Sequence, residues 1–132
     1  MADSIELEIA TPDRQLVHER VGEVQVPGKE GYMGILPGHA PLLSLLGAGA
    51  LSYTIGSRRH YIAVHGGFLE VLPEHVRVLA NEAERAEDID LEKARAGLAR
   101  AQEQLSAAGT DPATALDQLA LAQARLTAAE HK

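Results

Sequence analysis

The chain contains no cysteine and no tryptophan, and only three tyrosines and one phenylalanine among its 132 residues. Without cysteine there are no disulfides, thiolate nucleophiles or thiolate-bound zinc. With so few aromatics the interior must be aliphatic. Positive charge is also scarce: 12 Lys and Arg stand against 19 Asp and Glu, a formal net charge of −7 with pI ≈ 5.3. Clustered phosphate contacts need the opposite balance, so no nucleic-acid partner is expected. No stretch approaches the ~18 apolar residues of a membrane span. The opening Met1–Thr11 holds three acids and no base, unlike a secretion signal. The expectation is a soluble, cytosolic chain with no direct membrane insertion, linked to any membrane through a partner. Hydrophobic content of 45% suffices for one domain, or one domain with an appendage.

The pattern changes near Ala80–Asp90. Before it, Ile5, Leu7 and Ile9 alternate with Glu6 and Glu8, and Leu51, Tyr53 and Ile55 alternate again. That period marks half-buried strands. Val24 and Val26 lead into Pro27-Gly28, Gly56-Ser57 reads as a hairpin turn, and Tyr61–Val64, Phe68–Val71 and Val76–Leu79 read as further strands. Short strands with frequent turn signals predict an all-β sandwich or barrel. After it, Leu91, Ala94, Leu98, Ala101 and Leu105 are spaced for one helix. Leu116, Leu119, Gln123 and Leu126 are spaced for a second. Asp90 and Asp111-Pro112 are helix starts, and Gly109 fits the residue just past a helix end. The predicted fold class is α+β, an N-terminal antiparallel β-sandwich over 1–86 followed by an antiparallel α-helical hairpin over 87–132. The alanine-rich inner face of that hairpin buries little apolar area, so it is either a stable terminal element or one able to leave the sandwich.

Signals for catalysis are weak. The six histidines form no H-E-x-x-H, and no G-x-S-x-G or phosphate-binding loop occurs; Gly28-Lys29-Glu30-Gly31 does not complete one. His60 and His65 are placed to meet across a strand end, but two imidazoles alone make no metal site. The paired acids Glu6/Glu8 and Asp88/Asp90 read as a solvent face and a helix start. The most constrained stretch is Gly31–Leu43, where Pro37 and Pro41 hold Leu36 and Ala40 extended and Gly34 and Gly38 permit turns. It presents His39, either as a rigid corner bonded to nearby backbone or as a docking loop.

Gly31–Leu43, with its Pro-Gly-His-Ala-Pro-Leu-Leu core, resembles the signature of the epsilon subunit of F-type proton-translocating ATP synthases. Val64–Val71 resembles that family's second signature, and Glu84–Ala96 its junction into the C-terminal helices. The resemblance covers essentially the whole chain. It implies a non-catalytic rotor subunit on the central stalk, with gamma, the c-ring and the alpha and beta subunits as partners. It also implies a peripheral place on the cytoplasmic face of a bacterial membrane, a plastid source remaining open. Glu30, Tyr32, Met33 and His39 correspond to the contact region for the c-ring and gamma. The family's hairpin acts as a brake on ATP hydrolysis when extended, and Lys93, Arg95, Arg100 and Arg125 are the cations available to meet acidic segments of beta.

No cofactor is required by the resemblance, which leaves open one regulatory ligand, ATP. Some bacterial members bind ATP at the folded hairpin through Ile/Leu-Asp-x-x-Arg-Ala. Here the stretch reads Ile89-Asp90-Leu91-Glu92-Lys93-Ala94, with Lys in place of Arg, losing the planar fork. Glu84, Asp90, Lys93, Arg100 and Arg125 match positions of that site, but Leu121 stands where those members carry another Arg. Weak or absent ATP binding is expected. Two alternatives from other classes are an unrelated two-part adaptor and a small β-barrel metal- or ligand-binding protein using His60, His65 and His75.

Overall fold

Ile5, Leu7 and Ile9 are fully buried on one face of the first strand, while Glu6 and Glu8 stay on the other. This strand, β1 (Ile5–Ala10), opens a computed structural model that describes residues 3–132. The other strands are β2 (Gln15–Val21), β3 (Glu23–Gly28), β4 (Gly31–Ile35), β5 (Leu42–Leu45), β6 (Ala48–Ile55), β7 (Arg58–Leu72) and β8 (His75–Arg85). They form one ladder, β2-β1-β8-β7-β6-β3-β4, with β5 attached to β7. Inward side chains from β1, β3, β4, β6, β7 and β8 form a single aliphatic core, so the ladder folds over itself as a sandwich. Ser52 is the buried polar residue among those described, and Arg59 donates to it at 2.8 Å.

The 15-residue β7 is the hinge of this folding. Its first half pairs β6 and its second half pairs β5, and the change falls at Gly66 and Gly67. Gly67 has φ 106°, and a Cβ there would lie 2.0 Å from the Leu79 carbonyl oxygen, so no other residue fits the corner. The sequence reading split this strand in two. It also missed β2, β4 and β5, and it expected a purely antiparallel sheet. The β1–β8 pair is in fact parallel, because β1 inserts between β2 and β8. The Gly56-Ser57 turn joins β6 to β7 as expected, with Gly56 at φ 62°.

A short 3-10 turn, Ala86–Asp88, leads to α1 (Leu91–Ser106), and α2 is Pro112–Glu130. Asp90 and Asp111 cap them, accepting from the backbone N–H of Lys93 and Thr114, each at 3.1 Å. These bonds hold both carboxyls below the usual carboxylate range: chiefly the Lys93 N–H for Asp90, and the Thr114 hydroxyl and then its N–H for Asp111. Gly109 (φ 85°) falls two residues beyond the cap Ala107, one later than expected. α2 lies on β6 and β7, while α1 packs on α2.

Of the expected stripes the alanines pack, as the alanine-rich inner face predicts, and the outer leucines do not. Leu105 and Leu116 are exposed and so is Gln123, whereas Ala94, Ala101, Ala115, Ala124, Ala128 and Ala129 are buried. Alanine takes the inner face because it lets the helix backbone approach the sheet closely.

Candidate functional site

The strand registers build one continuous outer face across β5, β7, β8, β1 and β2. Leu45 lies opposite Phe68, Phe68 opposite Leu79, and Leu79 opposite Ala10. The next row outward runs Leu43, Glu70, Arg77, Glu8 and His18. The apolar half of this face is exposed: Leu43 71%, Leu45 57%, Phe68 46% and Leu79 36%. Large apolar side chains held outward on rigid strands mark an interaction surface. Sequence reasoning missed it, although the consecutive apolar pairs Leu42-Leu43, Leu45-Leu46 and Phe68-Leu69 carry the signal, since one member of each must face out.

The other half of the face is ionic. His18 Nε2 lies 2.8 Å from Glu6 and 3.8 Å from Glu8, and His75 Nε2 lies 3.1 Å from Glu8. The His18–Glu6 hydrogen bond lowers the Glu6 pKa and raises that of His18. The histidines proposed from sequence as a set do not assemble: His60 stacks on Tyr53 at 5.2 Å, His65 turns to α2, and His75 faces β1.

The second candidate surface is the seat of the hairpin. Ala63, Ala86, Ile89, Ala94, Ala124, Ala128 and Ala129 form a small cluster with Tyr61 and Leu126. Two polar ties cross it. Arg125 donates to both oxygens of Glu84, at 2.7 and 3.3 Å, and His65 Nε2 lies 2.5 Å from Asp117. Tyr61 and His131 rings meet at 4.4 Å.

An open cleft of about 250 Å³ between α1 and α2 is lined by Gly97, Arg100, Gln104, Leu121 and Arg125 among others. It gathers Arg100 and Arg125, with Glu84 behind Arg125. Asp90 and Lys93, at the start of α1, do not line it. Arg95 pairs with Glu92 at 2.9 Å, whereas Lys93 and Arg100 make no ion pair among the described residues.

Of the loop residues, Glu30 is exposed in the β3–β4 turn, which bonds to Leu45 through the Lys29 N–H. His39 sits at the other end of β5, where the Gly38 N–H bonds to the Pro73 carbonyl. Its Nδ1 is 2.7 Å from the Ala40 carbonyl, the rigid-corner geometry. Tyr32 is 64% exposed, yet its hydroxyl accepts from the Ala50 N–H at 3.0 Å. Met33 packs against the core. These four residues do not form one patch.

Residues 4–86 match the family described as ATP synthase, Delta/Epsilon chain, beta-sandwich domain. The chain is 58% identical to the ATP synthase epsilon chain of Solibacter usitatus over 134 residues, covering 100% of both. It is 52% identical over 106 residues to that of Carboxydothermus hydrogenoformans, covering 80% of this chain and 79% of the relative. Among solved structures, a chain of the Euglena gracilis mitochondrial ATP synthase, in its OSCP/F1/c-ring assembly, superposes with TM-score 0.80 at 27% identity. That match covers 99% of this chain and 84% of the other. A chain of the Tetrahymena thermophila mitochondrial ATP synthase central stalk and c-ring shares the fold, with TM-score 0.62 at 13% identity, covering 94% and 95%.

Proposed function

The chain belongs to the ATP synthase delta/epsilon-chain family, and from that premise we infer that it is the non-catalytic central-stalk subunit of a proton-translocating ATP synthase. The sandwich joins gamma to the c-ring, while nucleotide chemistry belongs to alpha and beta. The observation that carries this reading is the exposed apolar row Leu45, Phe68 and Leu79, with Leu43 beside it. Permanent subunit interfaces have an apolar centre with a polar rim, and the row borders Glu70 and Arg77. We assign the row to gamma, and the turns bearing Glu30 and His39 to the ring. The complex is membrane-bound, and the bacterial relatives support a place on the cytoplasmic face.

The hairpin serves as the regulatory element. Its seat is alanine with two polar ties, which suits an element that docks and undocks. Lys93 and Arg100, free of ion pairs among the described residues, are the cations best placed to meet acidic segments of beta, with Arg95 and Arg125 available once their pairs open. Regulatory ATP at the hairpin is weak or absent, because Arg125 is engaged by Glu84 and Leu121 lines the cleft where a further cation is needed.

Co-purification of the assembled complex tests the main reading. The double variant Leu45→Glu/Phe68→Glu should fold and lose gamma by about 100-fold in affinity, as central interface residues do. Undiminished gamma binding by a folded variant refutes the assignment. Truncation after Asp88 should leave assembly intact and raise ATP hydrolysis; an unchanged rate refutes the brake.

A further inference from the structure

On the ionic half of the outer face, we propose a binding site for a divalent transition metal of the zinc class, formed by Glu6, Glu8 and His18, with His75, beside Glu8, as the fourth ligand that closes on the ion. Its geometry follows from the registers. Glu6 and Glu8 are two apart on β1 and share its outer face. β2 sets His18 opposite Glu8, and β8 sets His75 opposite Glu6. The two imidazoles therefore converge from opposite flanks on the carboxylates of the strand between them.

The spacing fits a single ion. Ligand atoms at the 2.0–2.2 Å bond lengths of a tetrahedral zinc stand about 3.4 Å apart. The separations are 2.8 Å for His18 Nε2–Glu6 Oε2, 3.8 Å for His18 Nε2–Glu8 Oε1 and 3.1 Å for His75 Nε2–Glu8 Oε1. They bracket that value, and one potential ligand atom from each of Glu6, Glu8 and His18 falls within 4.8 Å of the others, whereas His75 reaches Glu8 but stands outside that set and turns inward to bind. A second observation is independent of this spacing. The His75 Nε2 atom is buried and makes no hydrogen bond among the described residues, although Glu8 Oε1 is 3.1 Å away. A buried ring nitrogen facing a carboxylate off the hydrogen-bond line is costly, and a shared cation satisfies both. The remaining neighbours do not block the site. Arg77 approaches the other oxygen of Glu8, at 3.7 Å, and Arg20 is turned to Ser4. Two imidazoles with carboxylates favour zinc-like ions over magnesium or calcium, which prefer all-oxygen sites.

The bound ion would staple β2, an edge strand, to β8 through β1, at the border of the apolar row. Binding is thus expected to stabilise the sandwich.

The test is zinc titration of the full chain against a chromophoric chelator at about pH 7.5, where imidazole ligands are available. One equivalent should bind, and zinc should raise the melting temperature. His18→Gln and His75→Gln should each weaken binding by 10-fold or more and abolish the thermal shift, on the scale of losing a metal contact. Glu8→Gln should do the same, while His39→Gln and His131→Gln should leave both readouts unchanged. Absence of stoichiometric binding overturns the site. So does affinity that survives in a folded His18→Gln/His75→Gln double variant.

Discussion

Replacing Arg125 with Ala should release the hairpin without disturbing the sandwich. The substitution removes both hydrogen bonds to Glu84. The two side chains are 32% and 40% exposed, so solvent screens much of their attraction. A bidentate pair at that exposure contributes about 1 kcal/mol. Losing it multiplies the undocked population by about 5. Asp117→Asn weakens the other tie, to His65, by a comparable amount. Glu84 pairs across the ladder with Ala63, two residues from His65, so the effects will not add fully. The double variant should therefore undock about 10- to 20-fold more than the parent. Hydrogen exchange of α2 amides around Ala124–Ala129 reads this directly, with Val24 and Val26 of β3 as reference. Unchanged α2 exchange in the double variant refutes the reasoning, as does equal acceleration in β3, which would indicate global unfolding.

Overfilling the seat should act in the same direction: Ala128→Leu, at a fully buried position, should cost the docked state about 1–3 kcal/mol, seen as faster α2 exchange with an unchanged sandwich melting temperature. Gly67→Ala should instead strike the sandwich, because φ 106° and the close Leu79 carbonyl leave no room for a methyl; a loss of about 3 kcal/mol or more is expected in denaturant unfolding. Acid should loosen the helices. The folded pKa values of Asp90 and Asp111 lie below their unfolded value near 3.8, so the caps stabilise fully above that value and fail as pH falls through the folded values. Helical circular dichroism should drop in that window, and Asp90→Asn/Asp111→Asn, which keeps capping side chains, should flatten the drop.

What the sequence made legible was whatever depends on short-range pattern. β1 alternates cleanly in burial, β6 alternates in residue type over Leu51–Ile55 although Ser52 is buried with its neighbours, and both helix starts carry Asp caps, so all were readable. β2 was not, because a register shift at Ile9/Ala10 accompanies a broken burial alternation. β4 and β5 hid in a stretch whose Gly and Pro signalled a loop, since Gly34 lies within a strand and Pro37 and Pro41 lie just outside. The outer face was illegible for a different reason. Glu8 meets His18 and His75, and Leu45 meets Phe68, only through pairings distant in sequence. A solvent-face reading of Glu6 and Glu8 is right for each residue alone and misses what the sheet sets beside them.

The helices show how spacing and size compete. The 3-4 stripe of the first helix mixes leucine with alanine, and its Ala94 and Ala101 are buried while Leu105, and Leu116 of the second helix, are outside. Burying a leucine is worth about 1.5–3 kcal/mol, whereas an alanine methyl brings under about 1 kcal/mol. The sandwich is held by fully buried Ile, Leu and Val such as Ile5, Leu51 and Leu69. The hairpin is held by methyl groups and two exposed polar ties. Ties worth about 1 kcal/mol each are negligible against the first kind of core but a large share of the second. That difference is why charge changes at Arg125 and Asp117 should move α2 alone, and why a partner offering modest contacts can compete for the hairpin while the platform beneath it stays fixed.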